Sequence, residues 1–424
     1  MNNLNIESIT TEGNRLDVLF KTSSSVANFF KNNHFWIEYS EPISDAPEGI
    51  AVIPFICNIL PVVWIANIEV NLPELDKTFF ESIEDIKKSY MKMYPNIDFR
   101  GKVVPQRIVD YSNTVLQNDG AALFFSGGVD AFASLIEHID ENPDLLIIWG
   151  ADVQLEDVKG WVNVKTHISN TAKTFDLKAI EIKSNFRMFL DLSGFGILQS
   201  EWNYNYWGYL HHGIGIIGHA APYVYLKGYS ATYIASSFSP DTRKKDSYAW
   251  ASDPTIDNKV NFSNARTYHD MEEYTRQGKI NKIVDFSNKS DKMIQLRVCW
   301  ESIGGENCSQ CEKCYRTIMG IIAAGGNPNS FGFKVTKNTL SNIKRYIVYK
   351  AHFDWVKCEF WQEIQSQIRI GEIIPEYKEH INWITSYDFN EVNNSPIKKI
   401  RFFLERVNKK VKRTIKTLKY NGLF

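Results

Sequence analysis

Two stretches of this chain set reactive residue types at spacings that chemistry uses. The first runs Ser126-Gly127-Gly128-Val129-Asp130, after Leu123-Phe124-Phe125 and before Ala131-Phe132-Ala133-Ser134. The uncharged apolar run 121–125 predicts a fully buried parallel strand. Phe132, Leu135, Ile136 and Ile139 then share one side of a helix predicted over 130–139. Glycines between the two let the backbone approach an anion with no Cβ in the way. The first amides of the helix point outward without intrahelical partners, with the positive end of the helix dipole behind them. Ser126 adds a hydroxyl, so the stretch has the makings of a phosphate site. It is neither a Walker loop nor a G-x-G-x-x-G turn. The plainer alternative is a tight strand-to-helix turn capped by Asp130.

The second stretch is Cys299-x8-Cys308-x2-Cys311-x2-Cys314. Four thiolates suit Zn²⁺ in a closed tetrahedral site, which is structural and not catalytic. Two successive C-x-x-C steps bring three sulfurs onto a knuckle leading into a helix predicted over 315–324. Gly304-Gly305 lets the chain loop back so that Cys299 completes the set. An iron–sulfur cluster takes four thiolates too and is the rival. Cys57 and Cys358 sit among apolar neighbours and read as small buried hydrophobes.

The loop resembles the Ser-Gly-Gly-x-Asp-Ser loop of the PP-loop ATP pyrophosphatase superfamily, with Ala131 standing where Ser is usual. The loop together with the cysteine spacing resembles the 7-cyano-7-deazaguanine synthase family over roughly 115–325. The residues Cys299-Trp300, Gly304-Gly305-Glu306 and Cys311-Glu312-Lys313-Cys314-Tyr315-Arg316 agree with it. That resemblance implies an adenine nucleotide alpha hydrolase-like fold and an AMP-forming carbon–nitrogen ligase using ATP and Mg²⁺. Such an enzyme adenylates a deazapurine carboxylate and passes it to a nitrogen nucleophile. Pyrophosphate would lie on Ser126, Gly127, Gly128, Val129, Asp130 and Ala131, with Ser126 and Asp130 serving catalysis. Adenine and ribose would lie near Phe124, Phe125 and the Trp149-Gly150-Ala151 turn. Zn²⁺ would be held by Cys299, Cys308, Cys311 and Cys314. Where the family carries an Arg-Asn pair this chain has Tyr206-Trp207-Gly208-Tyr209, and where it carries Tyr-Pro-Asp-Cys this chain has Ser252-Asp253-Pro254. Enlarged relatives in bacterial defence clusters imply an alternative, the attachment of a deazapurine to a partner protein. A non-catalytic ATP-binding module is a third reading, through Ala131.

The elements that must position these residues alternate strand and helix. Strands are predicted at 121–125, 145–149, 178–182 and 231–235, and helices at 130–139, 157–175 and 209–221. That order gives an α/β fold, a doubly wound, mostly parallel sheet. Residues 1–104 read as an α+β extension with strands at 16–20 and 35–39. In it, Gly49 to Leu72 read as buried strands broken by turns, and a helix through Leu75, Phe79, Ile83, Ile86, Tyr90 and Met93 is opened by Pro73. The ATP-binding domain spans 105–325, and 326–424 reads as a helical extension. Its stripes are Leu340, Ile343, Ile347 and Val348; Phe353, Val356, Phe360, Trp361 and Ile364; and Ile400 to Leu418.

Composition is that of a globular chain, 424 residues with 44% apolar and 23% charged, and net charge −1. The segment 398–424 carries ten Lys/Arg against one Glu, leaving 38 basic and 48 acidic residues in 1–397. The basic charge is therefore a local feature, which speaks against nucleic acid as the partner of the whole chain; the tail reads as a packed helix with a solvated basic face, with binding of anionic lipid or nucleic acid as the alternative. No basic, then apolar, leader opens the chain and no apolar run reads as a membrane span, so a cytoplasmic protein is expected, its partners ATP, a small carboxylate and, in the alternative reading, a protein. Oligomeric state is not legible. Lesser candidates are His211 and His212, for substrate binding or proton transfer against packing. Asp241, Arg243, Lys244 and Lys245 read equally as a loop able to close over phosphates or as a solvated surface loop, with Arg266 and Arg297 as weaker cases of the same kind.

Overall fold

Leu16, Val18 and Phe20 alternate with Arg15, Asp17 and Leu19, so a strand over them buries one face and wets the other. In the computed structural model, which describes residues 2–113, 118–191, 206–245, 250–299, 305–394 and 398, they form β2 (Arg15–Thr22). The same alternation gives β3 (His34–Tyr39). With β1 (Asn3–Glu12), β4 (Glu69–Asp76) and β5 (Lys102–Val109), these strands extend a sheet that also holds β6 (Asn118–Phe124), β7 (Asp144–Trp149), β8 (Ala179–Ser184), β9 (Tyr229–Ala235) and β10 (Arg266–Asp270). The ten strands run in the order β10-β9-β6-β7-β8-β3-β2-β1-β4-β5. Neighbours are parallel except at β2–β1, β3–β2 and β8–β3. The fold is thus α/β with a mostly parallel sheet.

Two expectations for the N-terminal region are corrected. The stretch 49–72 is not a set of strands. Its centre is helix α1 (Ile53–Ile65), with Pro54 in the first turn, Pro61 inside and nearly every residue buried. A helix apolar on all sides shows no 3.6-residue period, so the sequence pattern could not separate it from strands. Nor does Pro73 open the next helix. It lies within β4, and α2 (Lys77–Met93) starts at Asp76, whose carboxylate accepts from Phe79 N at 2.9 Å.

The described residues divide into two compact units, one reaching to Thr275 with Gly305, the other from Arg276 onward. The boundary expected at 104/105 falls inside the first unit. Pairing of Tyr39 with Ile182 welds β3 to the edge of the parallel strands and satisfies backbone groups an open edge would leave bare. The boundary expected at 325/326 falls inside the second. The first unit also holds α3 (Val129–Glu137), α4 (Val158–Phe175) and α5 (Ala221–Lys227), and in the second α6 (Arg276–Lys289), α7 (Glu312–Ala323), α8 (Lys337–Tyr349), α9 (Trp355–Ile370) and α10 (Pro375–Ile381) keep company with the cysteines. Leu340, Ile343 and Ile347 of α8, and Phe360, Trp361 and Ile364 of α9, are buried as their spacing requires. The stripe from Ile400 to Leu418 lies outside the described residues. Among those described, no helix is long and apolar enough to cross a membrane.

Candidate phosphate loop and four-cysteine metal centre

β6 ends at Phe124, and Phe125 N still donates to Leu146 O of β7 at 2.9 Å. The chain then turns through Gly127 at φ +76°, a left-handed conformation that costs any side-chain-bearing residue. Helix α3 (Val129–Glu137) opens at Gly128, which is extended and carries no capping side chain. Asp130 therefore stands in the first turn and is not the cap. Phe132 N makes the first intrahelical bond, to Gly128 O at 2.9 Å, so the amides of Val129, Asp130 and Ala131 precede it. Ser126 is exposed, Gly127 is buried, and Gly128 and Asp130 are half-buried, so the bend meets solvent through Ser126. Ser126 Oγ accepts from Gly128 N at 3.4 Å.

The neighbouring residues play other parts. Phe125 packs edge-on against Phe132, ring centres 4.9 Å apart, and Phe124, Val129 and Ala131 are buried too, so these side chains belong to the core. Gly150, at φ +110°, is required by closeness: a Cβ there would stand 2.1 Å from Ser184 O. It lets the carboxyl ends of β7 and β8 approach. The place of the bend matters most. β7 and β8 lie to one side of β6, and β9 and β10 to the other. The order reverses at β6, the switch point where open α/β sheets hold ligands at the carboxyl ends of their strands.

The four cysteines converge. Their sulfurs all lie within 4.8 Å of one another. Cys299 Sγ is 3.8 Å from Cys311 Sγ, and Cys308 Sγ is 3.8 Å from Cys314 Sγ. Disulfide sulfurs would be about 2.05 Å apart. Four sulfurs at about 2.3 Å from one tetrahedral ion have edges of about 3.8 Å. The cluster can therefore hold a single metal ion. Local backbone builds the knuckle. Cys308 Sγ accepts from Cys311 N at 3.2 Å and from Gln310 N at 3.4 Å, and Cys311 Sγ caps α7 by accepting from Cys314 N at 3.5 Å. Hydrogen bonding from Cys314 lowers the Cys311 thiol, against the opposing effect of burial.

Asn307 is a site residue that spacing did not reveal. Its Oδ1 accepts from Val298 N at 2.9 Å and Cys299 N at 3.3 Å, and its Nδ2 donates to Leu296 O at 2.7 Å and Gly332 O at 3.0 Å. It clamps the Cys299 segment to the knuckle. The only signal in the sequence was its place beside Cys308. Of the expected glycine pair, Gly305 takes φ +79°, while Gly304 lies outside the described residues.

No family model matches the chain, and neither a curated protein nor a solved structure matches it.

The lesser candidates separate. His211 is buried, and its Nε2–H donates to Asn58 Oδ1 at 2.5 Å. Burial, then the nearby Arg187 charge, lowers it to about 3, so it is a neutral packing residue. His212 is half-buried, with its ring centre 4.9 Å from that of Trp207. Arg243 is bound to Glu272 and donates to Phe238 O at 3.3 Å, which pins the loop it sits on. Of Lys244 and Lys245 only the helical backbone is described. Arg266 opens β10 and so lies at the amino edge of the sheet, away from the carboxyl ends. Arg297 belongs to the second unit.

Proposed function

We propose that this chain is an AMP-forming ligase that activates a carboxylate, on a deazapurine, and passes it to a nitrogen nucleophile. The observation that carries this reading is the glycine bend at the switch point of the sheet, with Ser126 exposed and an uncapped helix beginning at Gly128. Amides before the first helical bond, backed by the dipole of α3, suit the pyrophosphate that leaves when ATP is split. The carboxylate oxygen attacks the α-phosphorus and the α–β phosphoanhydride bond breaks, giving acyl-adenylate and pyrophosphate. The nitrogen nucleophile then adds to the acyl carbon, AMP leaves, and the nitrogen loses its proton to solvent. Ser126 and Asp130 sit at the mouth where charge builds on the leaving group. Positioning and charge stabilisation supply the rate, as little covalent chemistry falls to the protein. Mg²⁺ would accompany ATP as its counter-ion. The strand order around β6 supports an adenine nucleotide alpha hydrolase-like fold.

The metal of the second unit is, in this reading, zinc in a structural role. Four sulfurs within 4.8 Å favour one shared ion over a cluster whose irons each take their own thiolates. All four positions are protein thiolates, which leaves none for substrate.

Labelled ATP with 7-deazapurine-7-carboxylate and ammonia tests the proposal. AMP and pyrophosphate should form in step with the carboxylate and vanish in Asp130→Asn and Gly128→Ala, with circular dichroism unchanged. Turnover retained by both variants would overturn the loop assignment. ATP bound without AMP release would leave a nucleotide-binding module.

A further inference from the structure

The carboxyl edge of the sheet carries a cation that no described carboxylate contacts. Three residues beyond β8, Arg187 leaves the sheet and its NH1 donates to Ala151 O at 2.5 Å, in the turn that follows Gly150. Its guanidinium lies over the Trp207 ring at 4.2 Å. Trp207 opens a π-helical turn, Trp207–His211, a distortion that re-aims side chains and recurs at functional sites. Phe186 meets the same indole edge-on at 5.6 Å. Among the described residues no carboxylate pairs with Arg187, and its Nε and NH2 make no hydrogen bond. Burial is the largest influence on it, and lowers its pKa, with only a weaker opposing pull from Asp152.

A half-buried guanidinium has given up part of its water, and with no carboxylate in contact that loss is offset only by the more distant Asp152. The free Nε and NH2 edge of a planar fork matches the two oxygens of a carboxylate. The fork is held flat, by the Ala151 carbonyl on one edge and the indole beneath, so little freedom is lost when a ligand docks. Its neighbours are the turn after β7 and the end of β8, the strands on one flank of the phosphate loop. We propose that Arg187, seated on Trp207, is the anchor for the carboxylate of the acid to be activated. The inference rests on the ligase reading for its substrate class, and it adds a positioning residue that the loop does not supply.

The test uses calorimetry on the full chain with two probes, 7-deazapurine-7-carboxylate and the matching 7-carboxamide, and with MgATP as a third. The wild type should bind the acid at least ten-fold more tightly than the amide. Arg187→Met should erase that preference, Arg187→Lys should keep part of it, and MgATP affinity should stay within two-fold in both. A purely structural role would not move the acid-to-amide ratio. Acid preference retained in Arg187→Met, absence of preference in the wild type, or a ten-fold loss of MgATP affinity in Arg187→Lys would each overturn the assignment. The last result would make Arg187 a phosphate ligand. Should Arg187→Met fail to fold, Arg187→Lys carries the test: an unchanged ratio overturns the proposal and a reduced one supports it. An Arg187-dependent acid preference in a protein that binds no MgATP would keep the anchor and remove the ligase. MgATP binding with an acid preference indifferent to Arg187 would do the reverse.

Discussion

Acidification should weaken this protein through two buried imidazoles. His219 donates Nδ1–H to Gly215 O at 2.6 Å, and its Nε2 accepts from Ser184 Oγ at 2.9 Å. His211 donates Nε2–H to Asn58 Oδ1 at 2.5 Å; the Asn58 amide is oriented by its own donation to Pro54 O at 2.8 Å. Both rings are fixed as neutral tautomers. Burial holds His211 near about 3 and His219 near about 4, against about 6.5 in an unfolded chain. Because the folded values are depressed, the unfolded chain takes up protons first. Stability is therefore full above about pH 6.5 and falls as pH drops below it. Between pH 7.5 and pH 5 each ring should cost about 2 kcal/mol by linkage, roughly 4 kcal/mol together. The effect bears on the candidate site, since Ser184 O is the atom against which Gly150 packs. Urea unfolding at both pH values, followed by tryptophan fluorescence, measures it. His219→Gln removes one titrating ring, so its stability gap to the wild type should narrow by about 2 kcal/mol from pH 7.5 to pH 5. A gap constant to within about 0.5 kcal/mol would refute the assignment of His219 as a buried neutral imidazole.

Gly150→Ala places a Cβ 2.1 Å from Ser184 O at φ +110°. Left-handed strain alone costs about 1–2 kcal/mol, and the overlap adds to it, so the melting temperature should fall; an unchanged melt would show that the turn relaxes freely. One equivalent of metal should accompany each chain by elemental analysis, and Cys314→Ser should lose it. Hydrogen exchange should then quicken across the described residues from 276 on, while those up to 275 stay protected; uniform protection in the metal-free variant would remove the structural role. Asn307→Ala deletes the clamp on Cys299, four hydrogen bonds in all. It should cost about 2–4 kcal/mol and weaken metal affinity roughly 10–100-fold in chelator competition, and affinity equal to wild type would show the clamp to be idle.

What the sequence determined by itself was local. Ser126 to Asp130 are consecutive, so a glycine bend between a buried strand and a helix could be read from neighbours alone. The same holds for three of the four thiolates, whose knuckle closes through amides one to three residues away. Parallel strands at 121–125, 145–149 and 231–235 were legible because burial on both faces leaves a largely apolar run, whereas 178–182, with Lys178 and Glu181, buries only alternate residues. Tertiary structure decided the rest. That β3 pairs with β8, with Tyr39 opposite Ile182 and Ile37 opposite Ser184, and so joins the N-terminal strands to one sheet, depends on which edge is left unpaired after folding. That His211 is a packing residue depends on Asn58, 153 residues earlier in the chain. Arg187 became notable only when Ala151 and Trp207 met it from separate turns. Such partners carry no mark in sequence spacing, because the contact energy that selects them exists only once the chain has closed the loop between them.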